Sequence, residues 1–353
     1  MTERPLSVDA LGGWLAPRLG AQHVDVTIDG APSSGFSAET VLLTARAADT
    51  GEHRLVLRRE TPDPAVYPAQ VPGLEVEVEI QYRAMSAMAR ASDIPIAPLL
   101  GYEADPAVLG APFFVMRFVA GDVPIESPPY TQAGFFAAAT PAQRSRLIRS
   151  GLRVLARVHA VDWRGAGLDW LVPSGEEPTA HRQLRVWEEY ARRELDARTH
   201  PGIDRACAWL HDRLPDGSAP GVCWGDPRPG NVIWRDFDPV CVTDWEAVAI
   251  APPEVDLGWW MLFDRTMHEV VGVARADGDP SREEQRDMYV EASGRDVGDV
   301  APFEVLAGMR YAAIVVRVMN RLVARGDLPA DQTIWLENPA AVALDHVLDE
   351  VGA

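Results

Sequence analysis

Between Cys223 and Glu246 the chain carries a pattern that few folds can accommodate. The apolar run Gly221-Val222-Cys223-Trp224-Gly225 ends at Asp226, and Pro227-Arg228-Pro229-Gly230 then forces a tight loop. Asn231 follows at D-x4-N spacing and opens Val232-Ile233-Trp234, after which Val240-Cys241-Val242-Thr243 delivers Asp244 in Asp244-Trp245-Glu246. Proline fixes its own φ, so this loop sets the position of Asp226 relative to Asn231.

Asp-Pro and Pro-Gly-Asn are also ordinary turn sequences, and the loop by itself would suit a surface hairpin. The second half makes the difference. The chain has three asparagines, Asn231, Asn320 and Asn338, and one of them falls at this spacing, with a strand and a further aspartate behind it. Phosphoryl transfer to an alcohol needs a carboxylate to take the hydroxyl proton and a divalent cation clamped by oxygen ligands. Asp226 suits the first task. Asn231 and Asp244 suit the second, because Mg2+ takes only one or two oxygen ligands from protein beside phosphate and water.

These residues resemble the kinase-like aminoglycoside phosphotransferase family, whose members read approximately His-Gly-Asp-x-x-x-x-Asn followed by Asp-Trp-Glu or Asp-Phe-Glu. Here Trp224 stands in place of the histidine, and Arg228 stands where the family often has His. The resemblance runs over nearly the whole chain. It implies an α+β, two-lobed protein-kinase-like fold, with an N-terminal antiparallel sheet lobe (residues 1–119, including the hinge strand) and a mostly helical C-terminal lobe (120–353). It further implies ATP and Mg2+, with the γ-phosphoryl group passing to a small hydroxylated acceptor. Aminoglycosides, macrolides, choline and homoserine are all acceptors within the family, and this sequence selects none of them.

Composition excludes other chemistries. All 33 basic residues are arginine, which removes every mechanism built on a lysine, whether a Walker lysine or a Schiff base. The net charge of −19 argues against a nucleic-acid partner. Cys207, Cys223 and Cys241 form no C-x-x-C pair, and neither a basic-then-apolar leader nor a membrane-length apolar run is present, so a cytoplasmic protein is expected.

In chain order, Ser7 caps a helix over 7–20, and short strands follow at Val24 to Ile28, Val41 to Leu43 and Leu55 to Leu57. Composition reads the turn at 33–40 as a plain loop; the resemblance places Gly35, Phe36 and Ser37 over the nucleotide phosphates. Arg58 ends the third strand, where kinases carry the phosphate-gripping lysine, and a guanidinium fork can take that role. A helix from about 75 to 91 puts Gln81 where kinases have the glutamate that pairs with this lysine; Glu77 lies one turn earlier on the same face, while Glu79 points away. The apolar strand 111–121 leads into the expected hinge, where the backbone of Arg117 to Val119 would meet adenine and Met116 would line its pocket.

Beyond the hinge, Leu147, Ile148, Leu152, Leu155 and Val158 form the stripe of a core helix over 144–161, with His159 read as a packing residue. Residues 181–214 and 281–295 read as polar amphipathic helices, and 303–324 as an apolar one. The resemblance puts the acceptor pocket at 176–200 and 259–295, with Trp259, Trp260, Asp264 and Glu269 as candidates, and makes Asp256 a brace for the catalytic loop. Two rival readings stand beside this one. The first is a metal-dependent hydrolase using Asp226, Asp244, Glu246 and Asp256. The second is a nucleotide-binding module without turnover.

Overall fold

A computed structural model describes residues 6–30, 38–63 and 65–353. The turn containing Gly35, Phe36 and Ser37 lies outside the described residues. Helix α1 (Val8–Leu19) starts at Ser7, whose hydroxyl accepts from Ala10 N, and stops at Gly20 in the left-handed conformation. Its buried face, Leu11, Trp14, Leu15 and Leu19, covers one side of the N-terminal sheet.

That sheet joins β1 (Asp25–Gly30), β2 (Glu39–Ala47), β3 (Gly51–Arg59), β4 (Leu99–Glu103) and β5 (Phe113–Arg117) in the order β1-β2-β3-β5-β4, all antiparallel. Side chains alternate between the two faces of a strand. Val41, Leu43, Leu55, Leu57, Phe113 and Val115 therefore face α1, while Phe114 faces α2 (Glu77–Ala91). Arg58 pairs in register with Phe114 and shares its inward face, and Arg59 turns to the α1 side to meet Glu39 at 2.6 Å.

The C-terminal lobe is mostly helical. After the single-turn helices α3 (Pro106–Leu109) and α4 (Gly134–Ala137) come α5 (Pro141–His159), α6 (Ala180–Leu195), α7 (Pro201–Arg213), α8 (Glu254–Arg265), α9 (Arg282–Ser293), α10 (Ala301–Arg325) and α11 (Pro339–Glu350). The amphipathic stretch read as 181–214 is two helices. The chain breaks at Asp196, with φ of 54°, and restarts with Pro201 at the first position of α7, where a missing N–H costs nothing. Helix α10 packs on α6, α7, α8 and α11, and comes so near α8 that a Cβ on Gly258 would lie 2.5 Å from Phe303 O.

Two small ladders, β6 (Gly221–Cys223) with β9 (Ala249–Ala251) and β7 (Val232–Arg235) with β8 (Asp238–Val242), carry the Cys223–Glu246 stretch. Asp226 lies between β6 and β7, and Asp244 lies between β8 and β9.

The connection between β3 and α2, rich in proline, does not stay with its sheet. It crosses to the helical lobe as a strap. Tyr190 donates to Val66 O, Arg317 donates to Ala65 O, and Arg182 and Gln183 donate to Gln70 Oε1.

Phe113 is fully buried and meets Trp14 edge-on at 4.9 Å, joining α1 to the sheet. Replacing it with alanine should lower unfolding stability by about 3 to 5 kcal/mol in a denaturant titration, whereas Ile28→Ser on the exposed β1 should change it by less than about 1 kcal/mol.

Candidate active site

The catalytic-loop sequence folds as it does because its backbone is gripped from both sides. Asp256, in the first turn of α8, accepts from Trp224 N at 2.6 Å with Oδ2 and from Gly225 N at 3.0 Å with Oδ1. His159 Nε2 lies 3.2 Å from Asp256 Oδ2, and its Nδ1 lies 2.6 Å from the Tyr289 hydroxyl. A carboxylate only accepts, so the Nε2–H of His159 donates to Asp256. His159 thus packs, as its sequence position suggests, and also orients the brace. From the other side, Arg310 donates to Gly225 O at 2.8 Å, with its guanidinium between the rings of Trp187 and Trp259.

Gly225 is required at its position. Its φ is +96°, and a Cβ there would lie 2.0 Å from Ala247 O. Trp224 uses its indole N–H on Thr243 O at 2.8 Å and Asp244 O at 3.2 Å, so it holds the backbone of the second motif. Its ring tilts against Trp245.

Asn231 turns its amide nitrogen to Asp226, at 3.0 Å from the backbone oxygen and 2.8 Å from Oδ2. Its own carbonyl accepts from Thr243 N at 3.0 Å and Thr243 Oγ1 at 2.9 Å. A continuous chain of hydrogen bonds therefore runs from Asp226 through Asn231 to the residue before Asp244. Asp244 itself sits at φ of 54°, a conformation that costs a non-glycine residue energy and is common where a side chain must be aimed.

Trp259 donates to Asp226 Oδ1 at 2.7 Å, and Arg228 and Tyr67 approach Oδ2 at 3.1 and 3.2 Å. Burial pushes the Asp226 carboxyl up to about 6. The hydrogen bonds from Trp259 and Asn231 oppose that rise, and the nearby charge of Asp244 adds to it.

Arg58 reaches across from the sheet. Its guanidinium lies 3.6 Å from Asp244 Oδ1 and 4.0 Å from Glu246 Oε1, and it donates to Thr40 Oγ1 at 2.9 Å. Glu246 is pushed up to about 8 by burial and by Asp244, against the pull of Arg58. Its Oε2 is buried with no hydrogen-bond partner among the described residues. Glu77 is spent on the strap, accepting from Val66 N at 2.9 Å, and Glu79 pairs with Arg83 on the outer face. Gln81 is buried beside them.

At the end of β5, Arg117 N donates to Pro98 O at 2.8 Å and Phe118 N to Arg54 O at 3.0 Å. Pro98 has no N–H to give back to the Arg117 carbonyl. Val119 N has no backbone partner among the described residues, and Met116 and Val119 are both half-buried.

The structure separates the remaining candidates. Trp259 faces Asp226, but Trp260 is core and donates to Gln285. Asp264 is committed to Arg275 and Gln285, and Glu269 to Arg265. Asp256 spends both oxygens on backbone N–H groups, which fits a brace and not a metal ligand. Trp259 had a sequence signal that favoured core, whereas Tyr67, inside a proline-rich loop, had none.

Comparison with known proteins bears on the fold that carries these residues. A protein of Ralstonia eutropha JMP134 assigned as an aminoglycoside phosphotransferase superimposes with a TM-score of 0.71 at 22% identity, covering 98% of this chain and 99% of that one. Spectinomycin phosphotransferase, solved with ADP and spectinomycin, superimposes with a TM-score of 0.57 at 12% identity, over 98% and 99% of the two chains. Among curated proteins, acyl-CoA dehydrogenase family member 10 of Mus musculus is 26% identical over 184 residues. That match takes in 52% of this chain but spans only 16% of the mouse protein's length. The solved structures share the two-lobed kinase-like fold, and the profile of the phosphotransferase enzyme family matches residues 31–303: the chain belongs to that family.

Proposed function

We propose that the chain moves the γ-phosphoryl group of ATP to a hydroxyl of a small molecule, with residues 1–119 holding the nucleotide and 120–353 holding the acceptor and the catalytic loop. One observation carries this reading: the Asp226 carboxylate is buried, raised to about 6, and tied through Asn231 to the strand that delivers Asp244. A base whose pKa lies slightly below neutral is ionised at pH 7 yet still accepts a proton in the transition state.

The residues at this site fit a divalent cation. Asn231 offers the amide oxygen left once its nitrogen faces Asp226, Asp244 offers a partly exposed carboxylate, and Mg2+ prefers such oxygen donors. Bound there, Mg2+ would neutralise charge on the triphosphate. Arg58, already between Asp244 and Glu246, is placed to turn its fork to phosphate oxygens. At the hinge, the carbonyl of Arg117 and the N–H of Val119 are an acceptor and a donor two residues apart, which would suit one edge of adenine, and Met116 would line the ring.

The acceptor hydroxyl would meet Asp226 beside Arg228 and Trp259. The absence of a strand lysine favours one alternative, a protein that binds nucleotide without turnover. A thermal-shift titration with ATP and Mg2+, followed by an ADP-release screen over hydroxylated small molecules, separates the two. Binding with ADP release supports transfer, and binding without release supports the silent reading.

Asp226→Asn should lower turnover by about 100-fold to 10,000-fold while keeping the ATP-induced thermal shift; retained turnover would refute Asp226 as base. In the unsubstituted enzyme the acidic limb of the kcat/KM profile should fall as pH drops below about 6, because protonation removes the base. A profile flat down to pH 4.5 would contradict this.

A further inference from the structure

Four donors surround the Asp226 carboxylate. Trp259 takes Oδ1, Arg228 Nε lies 3.1 Å from both oxygens, and Asn231 and Tyr67 reach Oδ2 at 2.8 and 3.2 Å. Three of these are nitrogen donors from the catalytic loop and α8. Tyr67 differs in both respects: it comes from the strap that leaves the N-terminal sheet, and its donor is a hydroxyl. A hydroxyl donating to Asp226 is what the proposed reaction presents to this base.

We propose that Tyr67 is a placeholder: its phenol occupies the acceptor-hydroxyl position on Asp226 until an alcohol displaces it, and so keeps water off the base and restrains ATP hydrolysis. The inference rests on the reading of Asp226 as the base.

The placement is built into the fold. Directly before Tyr67, Val66 is held at both ends, its N–H on Glu77 Oε1 at 2.9 Å and its carbonyl by Tyr190. Ala65 O takes two bonds from Arg317, at 3.1 and 3.0 Å. Three residues further on, Gln70 Oε1 takes bonds from Arg182 at 3.1 Å and Gln183 at 2.9 Å. Glu77, Arg182 and Gln183 are each 2% exposed, so these anchors exchange poorly with water. The backbone on either side of Tyr67 is thus anchored at Ala65, Val66 and Gln70, and displacement of the phenol requires rotation of its side chain alone. A cavity of about 360 Å³, lined by Tyr67, Glu77, Glu246 and Arg317 among others, lies alongside.

The phenol suits guarding better than reacting. Burial and the charge of Asp226 hold its pKa well above the ordinary value, so it remains a protonated donor. Without it, water can take the same place on Oδ2. The γ-phosphorus then forms a bond to the water oxygen as its bond to the bridging oxygen of ADP breaks, and the water proton passes to Asp226.

Tyr67→Phe deletes only the hydroxyl. The test measures ADP release by the full chain with ATP and Mg2+ and no acceptor, together with ATP-induced thermal shifts and intact mass. A net hydrogen bond of about 1 kcal/mol is a factor of roughly five, so the variant should hydrolyse ATP about threefold to tenfold faster than the unsubstituted enzyme, with its ATP-induced shift unchanged. Adding Asp226→Asn should return it to background. Unchanged or slower hydrolysis in a variant that still binds ATP would overturn the placeholder and leave the base reading standing. Transfer of phosphate to Tyr67 itself would also overturn it, by making the phenol a substrate. If instead the unsubstituted chain shows no ATP-induced shift, and Asp226→Asn changes nothing, the phosphotransferase reading fails and takes the placeholder with it.

Discussion

The carboxylate of Asp256 is the interaction on which the rest of the site depends. It neutralises two consecutive backbone N–H groups, of Trp224 and Gly225, that the turn into the catalytic loop would otherwise bury unpaired. Such groups cost about 1 to 3 kcal/mol each when left without partners. The carbonyl on the other side of Gly225 goes to Arg310, a fully buried arginine whose charge is compensated by the nearby Asp256 and by the faces of Trp187 and Trp259. Backbone geometry at Gly225 is thus over-determined, and Asp226 inherits its direction from it.

Building this site without lysine changes its electrostatics. An ammonium is a compact charge, whereas the Arg58 guanidinium is a fork that reaches Asp244, Glu246 and Thr40 from one strand position. Burial first, and then the neighbouring charge of Asp244, pushes Glu246 up to about 8 against the pull of Arg58. Glu77, one turn before Gln81 on the same face of α2, holds the strap instead, so α2 is tied to that connection through Val66. Sheet lobe and helical lobe are therefore joined by the strap as well as by the hinge strand.

Much of this was legible in the residues, and what was not has a common cause. Asp226, Asn231 and Asp244 were read from short-range spacing, because a proline-fixed loop and two brief strands leave little freedom between them, whereas Asp256 came only from the family resemblance. Helices α1, α2, α5 and α10 follow apolar periodicity and sit within a few residues of their expected bounds. The break between α6 and α7 was missed because polar amphipathic pattern continues through it, although Pro201 marks the restart. Tyr67 could not be found from sequence, since its role depends on anchors more than a hundred residues away, at Arg182, Tyr190 and Arg317. Trp259 is both core and contact: its ring packs on Phe263 while its indole N–H reaches the carboxylate. For Asp264 and Glu269, arginines of the same lobe won the competition that an acceptor pocket would have needed.

The convergence of Asp226, Asn231 and Asp244 on a metal-bound nucleotide is tested most directly by anomalous diffraction from crystals grown with Mn2+ and a non-hydrolysable ATP analogue. A manganese peak in contact with the Asn231 side-chain oxygen and the Asp244 carboxylate, with the triphosphate between them and Arg58, is the result this account predicts. A nucleotide bound elsewhere, or manganese held by other residues while Asn231 and Asp244 stay unliganded, would contradict it.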